Sequence, residues 1–218
     1  MKIKTLQYAA IGLGMVFSLG ACSSDKKQKA EGGESSSDCQ YVVLLDQAEM
    51  TWTGFKTPAK APVSGQFKEM VVEGDGSGAS VAEAFNGASF TLKTNSVSSG
   101  DVARDANLRD YFFGTMVNPE EIRGEVQSVE GSGEAGLINV YIHLNGVGAQ
   151  QPLDFRVMEG YVEVSGTMDL SFWEAIPAVE SLNKQCYDLH KGADGESKLW
   201  SSVDLMMKVP FQKEGCEN

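Results

Sequence analysis

Residues 138–157, INVYIHLNGVGAQQPLDFRV, decide the fold class. Ile138, Val140, Ile142 and Leu144 alternate with Asn139, Tyr141 and His143, so an extended chain here has one apolar and one polar face. Asn145-Gly146 is a dipeptide suited to a tight hairpin turn, because both residues tolerate positive φ. Leu153, Phe155 and Val157 resume the apolar face beyond it. Two half-buried strands joined by a turn must bury their shared face against more sheet.

Working outward, the same period of two recurs in both directions. Downstream, Val162, Val164, Met168 and Leu170 alternate with Glu163, Ser165, Thr167 and Asp169, and Val203, Leu205, Met207, Val209 and Phe211 form a last run. Upstream, Ile122 and Val126 alternate with Arg123, Glu125 and Gln127, and Ala88, Phe90 and Leu92 with Ser89, Thr91 and Lys93. Met50 and Trp52 alternate with Thr51 and Thr53, Phe67 opens a further strand, and Tyr41 to Leu45 is a short apolar run. The pattern predicts eight or nine strands with mostly hairpin connections, hence an up-and-down antiparallel barrel or a sandwich. Gly74 to Gly78 reads as a hairpin end, since no Lys-Ser/Thr pair or helix start follows to make it a phosphate cradle.

Two helical segments interrupt the strands. In residues 101–116, DVARDANLRDYFFGTM, the spacing of Leu108, Tyr111 and Phe112 predicts one apolar helical face, and Asp105 precedes Arg109 by one turn. Gly114 is placed to close that helix. It is either a packed connector or an aromatic lid over an apolar cavity. A second helix is predicted over 177–191, with Pro177 at its start, a stripe of Val179, Leu182, Cys186 and Leu189, and Gly192 as its stop. The following Gly192-Ala193-Asp194-Gly195 is a turn with too few acids for a calcium loop.

The N-terminus carries an address. Lys2 and Lys4 precede the apolar run Ala9–Leu19, and Leu19-Gly20-Ala21-Cys22 has the form of a lipobox. The run is shorter than the roughly 20 residues a membrane span needs. The expected organisation is a signal peptide at 1–21, a tether at 22–38 acylated on Cys22, and one domain at 39–218. Ser23–Asp38 is rich in Ser, Gly and charge and has no large apolar residue, so it cannot fold alone. Loss of residues 1–21 removes Lys2 and Lys4 and no acid, which takes the formal charge from −12 to −14. So acidic a body argues against nucleic acid as a partner. Ser23 and Ser24 lack the aspartate associated with inner-membrane retention, so the expected location is the periplasm-facing side of the envelope, at the outer membrane.

Catalytic chemistry is not evident. The chain has two histidines, His143 and His190, and no HExxH, Gly-x-Ser-x-Gly elbow, CxxC or Walker loop. No enzyme, cofactor or metal site is expected. With Cys22 acylated, Cys39, Cys186 and Cys216 remain, which suggests one disulfide and one buried thiol. If residues 41–55 form one bent strand, Cys39 approaches Cys216; if Tyr41 to Leu45 is separate, Cys39 lies at the end of the barrel where Cys186 sits.

Several segments together resemble the YceI-like family. They are Trp52-Thr53-Gly54-Phe55, Gly65-Gln66-Phe67, Phe90-Thr91-Leu92 with Asn95-Ser96-Val97, and Arg104-Asp105 with Leu108. Leu144-Asn145-Gly146-Val147 and Gly166 to Phe172 continue the series. The resemblance implies a lipocalin-like eight-stranded antiparallel β-barrel with one or two capping helices. It also implies that an apolar cavity binds a polyisoprenoid, a quinone tail or another long amphiphile. The sequence departs from the family at Phe55-Lys56-Thr57, where a histidine is common, at Gly124 in place of an aromatic, and in the added helix at 177–191. On this reading Trp52, Phe67, Phe90, Tyr111, Phe112, Phe155, Met168 and Met207 are candidates for the cavity wall and lid. Two other readings are a filled barrel presenting its 56–62 or 192–200 loops to an envelope partner, and a hydrolase, for which no nucleophile–base pair is visible.

Overall fold

The computed structural model describes residues 39–216, so the signal peptide, Cys22 and the tether lie outside the described residues. In chain order the elements are β1 (Gln40–Val43), β2 (Glu49–Lys56), β3 (Ala61–Phe67), β4 (Met70–Glu73), β5 (Ser77–Gly78) and α1 (Val81–Ala84). Then come β6 (Ser89–Lys93), β7 (Val97–Ser98), α2 (Val102–Asn107), β8 (Glu121–Ser132), β9 (Ala135–Leu144) and β10 (Val147–Val157). The chain ends with β11 (Tyr161–Asp169), α3 (Ile176–Gln185) and β12 (Leu199–Glu214).

The hairpin at Asn145-Gly146 is β9–β10, with Leu144 opposite Val147 and positive φ at both turn residues. Ile138, Val140, Ile142 and Leu144 are all buried, as are Leu153 and Phe155 facing them. From β8 to β12 each strand pairs antiparallel with the next, and β12 pairs with β2, which pairs with β3. Closure depends on two kinks. β3 and β4 form one interrupted stave, and β6 and β7 another; Met70 pairs with Leu92 above the kinks and Phe67 with Val97 below them. Main-chain bonds Lys68 N–H to Ser96 O and Lys93 N–H to Glu69 O carry the ladder across. Counting β1 with β2, β3 with β4 and β6 with β7, and leaving aside the two-residue β5 beside β1, gives a closed antiparallel barrel of eight staves, which leaves no long edge to aggregate.

Aromatic rings fill the interior where the opposite strand offers glycine. The Phe90 ring lies over Gly124, and the Trp52 ring over Gly65; a Cβ added at either glycine would overlap the ring. The glycine that departs from the family pattern is therefore filled from the neighbouring strand by Phe90. From the level of Gly124 towards the end away from Phe67 and Val97, Phe155, Ile138, Ile142, Val162, Val164 and Val209 are almost fully buried, so this half of the barrel is solid.

The solid end is sealed by α1, which the sequence reading missed. Ser80 Oγ accepts from Glu83 N–H, and the Glu83 carboxylate accepts from Ala79 N–H. That reciprocal Ser-x-x-Glu box is a start signal, although only four residues follow it as helix. β1 and β2 both pair with β12, Gln40 opposite Glu214 and Glu49 opposite Lys208, so they are one strand broken by a 3₁₀ turn at Leu45–Gln47. The bent-strand alternative holds, and a disulfide joins Cys39 to Cys216; Cys186 is unpaired and buried.

Candidate functional site: a two-chambered cavity at the open barrel end

The other end of the barrel is hollow. It is formed by the last residues of β2 and β9, the first of β8 and β12, and the covering segments 102–115 and 176–190. Asp101 caps α2 by accepting the Arg104 N–H at 3.0 Å. Arg104 and Asp105 then clamp Ser99: the guanidinium donates to Ser99 Oγ at 2.7 Å and to its carbonyl at 2.8 Å. The buried Asp105 carboxylate accepts the Ser99 N–H at 2.8 Å and its hydroxyl. This clamp fixes where the segment leaves the barrel wall.

Beyond Asn107 the backbone widens into a π-helical turn, Leu108–Phe112, then tightens into a 3₁₀ turn, Phe113–Thr115. The regular-helix expectation therefore fails for one residue. With the wider turn, Leu108, Phe112 and Phe113 face the barrel, while Tyr111 points outward and is 38 % exposed. Phe113 stacks edge-on with Phe112 and with Phe67 on β3, at centroid separations of 4.9 and 6.0 Å.

α3 is placed by the β9–β10 turn. Asn145 Nδ2 donates to the carbonyls of Trp173 and Glu174 at 3.0 and 3.1 Å, and the fully buried Trp173 indole donates to Ile142 O at 2.8 Å. The helix begins at Ile176 with proline in its first turn and turns Val179, Leu182 and Cys186 inward. It ends at Gln185, and residues 187–190 form a 3₁₀ turn. The change of pitch rotates the predicted stripe: Leu189 is 66 % exposed and His190 is only 7 % exposed.

Between these covers and the barrel lie two chambers, of about 130 Å³ inside and about 240 Å³ towards the surface. Trp52, Gly54, Leu108, Leu182 and Leu199 line both, which makes them parts of one cavity. The inner chamber is walled by apolar side chains, among them Phe67, Phe112, Phe113, Ile122, Leu144 and Val203. Its polar atoms are the indole N–H groups of Trp52 and Trp200. Trp200 donates to Thr57 O at 2.8 Å, whereas the buried Trp52 N–H has no acceptor among the described residues.

The outer chamber is different in kind. Lys56, Asp101, Arg104, Asn107, Cys186 and His190 contribute to its lining. Burial, together with the nearby Lys56 charge, pushes the His190 imidazole below its ordinary 6.5, while its Nδ1 lies 2.8 Å from Asn183 Oδ1. A neutral ring then carries its proton on Nδ1 and leaves Nε2 as an acceptor. Burial raises the Cys186 thiol, an effect opposed by the Lys56 charge and by the Asn107 amide, 3.4 Å from Sγ. Asp101 is held below the usual carboxylate range by the backbone N–H of Arg104 that it caps.

Of the wall residues expected from the sequence, Trp52, Phe67 and Phe112 line the inner chamber. Phe155 lies in the solid half, Met168 is buried opposite Val203 without lining either chamber, Phe90 and Met207 pack against the core, and Tyr111 faces outward. The polar lining of the outer chamber was missed. Strand parity marks Lys56: Trp52 and Gly54 face inward, so Lys56 follows them on the same face at the open end. No sequence signal of that kind exists for His190.

No curated protein matches the chain significantly. Among solved structures, it resembles a polyisoprenoid binding domain from Saccharophagus degradans at 16 % identity and a TM-score of 0.53, covering 79 % of this chain and 97 % of that one. It resembles Burkholderia cenocepacia BcnA at 12 % identity and a TM-score of 0.57, covering 78 % and 99 %. A Campylobacter jejuni YCEI protein matches at 18 % identity and a TM-score of 0.50, covering 71 % and 86 %. These likenesses concern the fold. The YceI-like domain model matches residues 41–208, and the chain belongs to the YceI-like family.

Proposed function

We propose that this protein is a lipid-anchored envelope protein that binds, carries or sequesters an isoprenoid-type lipid, with the apolar tail in the inner chamber. The observation that carries the reading is an apolar chamber, walled by Trp52, Phe67 and Phe112, at the open end of a YceI-like barrel. Binding a prenyl chain requires no catalyst, only apolar walls and exclusion of water. Each buried CH₂ contributes about 0.8 kcal/mol, so a few isoprene units bind without hydrogen bonds. The polyisoprenoid-binding neighbour is consistent with this tail class. The lipobox at Cys22 and the tether to Asp38 support an acylated protein facing the periplasm, at the outer membrane.

Trp52 and Trp200 both line the inner chamber and provide native reporters. Titration with a quinone bearing several isoprene units should quench their fluorescence saturably, while the same quinone without its tail should not. Equal quenching by both would place binding outside the chamber and reject the reading.

A further inference from the structure

The outer chamber holds cations that the protein itself leaves unpaired. In a chain of net charge −12, Lys56 and Arg104 are both half-buried in its lining, yet neither lies within ion-pair distance of a carboxylate among the described residues. Among the other described cations, Lys93, Arg123 and Lys191 each meet an acid, and those without one lie exposed on the surface, Arg109 excepted. The one carboxylate lining the chamber, Asp101, is occupied in capping α2. Cations that line a chamber without a protein counter-charge are free to meet an anion that enters it.

The donor inventory has the same bias. Lys56 offers three N–H donors; Arg104 has spent Nε and one Nη on Ser99, which orients the rest of the guanidinium. The Trp52 N–H, buried without an acceptor, belongs to a ring that lines both chambers. Against these stand the acceptors His190 Nε2 and Asp101. A neutral head group such as a hydroxyl or a quinone carbonyl would leave the ammonium unpaired; a phosphate or carboxylate would satisfy it and accept several N–H bonds at once.

We infer that the ligand bound in this cavity has an anionic head, a phosphate or carboxylate, which Lys56 and Arg104 hold in the outer chamber while the tail fills the inner one. The inference rests on the lipid-binding reading above and narrows its ligand class. Lys56 supplies the charge and Arg104, steadied by Ser99, the direction.

The test compares two tail-matched pairs on the purified, delipidated full chain: geranylgeranyl phosphate with geranylgeraniol, and dodecyl phosphate with dodecanol. Inorganic phosphate is added as competitor. Charge-assisted bonds predict that each phosphate binds roughly ten- to a hundredfold more tightly than its alcohol. K56Q should remove most of that difference, and K56R should restore it. Arg104 supports the α2 clamp, so the Lys56 series carries the decision. Equal affinity of phosphate and alcohol, or a preference indifferent to K56Q, would overturn the anionic head. Inorganic phosphate binding as tightly as the lipid phosphates would show a free-anion site and also overturn it. Failure of both prenyl compounds, with a Lys56-dependent preference for dodecyl phosphate retained, would reject the isoprenoid tail and leave the anionic head standing.

Discussion

Replacing Gly54 by leucine should plug the cavity while leaving the barrel more stable. Gly54 lines both chambers, lies between Val203 and Val63 on the neighbouring strands, and a Cβ added there meets no atom within 4 Å. Its φ is negative, so a side chain introduces no backbone strain. Glycine within a strand is about 0.5–1 kcal/mol worse than alanine, and burying the leucine carbons adds up to about 3 kcal/mol, less about 0.5–1 for lost rotamer freedom. The ligand-free variant should therefore gain roughly 1–3 kcal/mol, a rise in Tm of a few degrees or more. Binding should move the other way. If the new side chain removes the room for one isoprene unit, five carbons at about 0.8 kcal/mol each amount to about 4 kcal/mol, nearly a thousandfold in Kd. Thermal melting of the delipidated protein and titration with a prenylquinone read the two effects separately. Unchanged affinity in G54L would refute the placement of the tail, and a large loss of stability would refute the open space at Gly54.

Cys186 is the unpaired cysteine among the described residues and lines the outer chamber, with its thiol raised by burial. Alkylation by a maleimide at neutral pH should be slow, slower still with ligand bound, and the adduct should abolish binding; ligand-independent alkylation would contradict the site. Reduction of Cys39–Cys216, which closes a loop spanning 177 residues, should lower stability by about 2–4 kcal/mol in denaturant titration, whereas the loss should be absent in C39S. His190, held below 6.5 by burial first and by Lys56 second, binds fewer protons folded than unfolded. Its contribution is intact above pH 6.5 and is lost as pH falls from there through the folded pKa. The gap in urea midpoint between H190Q and the native chain should thus change on acidification from pH 7.5 to 5.5, to the native chain's disadvantage; a constant gap would exclude the linkage.

The period-two patterns foretold which side chains face inward, and Ile138, Val140, Ile142, Leu144, Val162, Val164 and Val209 are buried accordingly. They did not say how deep a residue sits. Phe155 looks like cavity wall by pattern but belongs to the solid half, and Met168 is buried without lining either chamber, while Gly54 leaves open space in the hollow half between Val63 and Val203. Local pitch was also hidden. A π turn at Leu108–Phe112 and a 3₁₀ turn at Tyr187–His190 each rotate the following side chains, exposing Tyr111 and Leu189 and burying Phe113 and His190. Such turns are settled by tertiary packing rather than by local propensity. The barrel's kinked staves escaped notice for a similar reason, since β4, β5 and β7 are too short to show a period. Lys56 was legible by parity alone, but a lysine at a strand end ordinarily reads as solvated.

Mass spectrometry of the organic extract from protein purified out of its native envelope tests lipid binding most directly. The native chain should release a stoichiometric isoprenoid-chain lipid, and G54L, purified in parallel, should release little or none. Absence of any hydrophobic molecule from the native chain, or equal release from G54L, would contradict a tail held in the chamber between Trp52, Phe67 and Phe112.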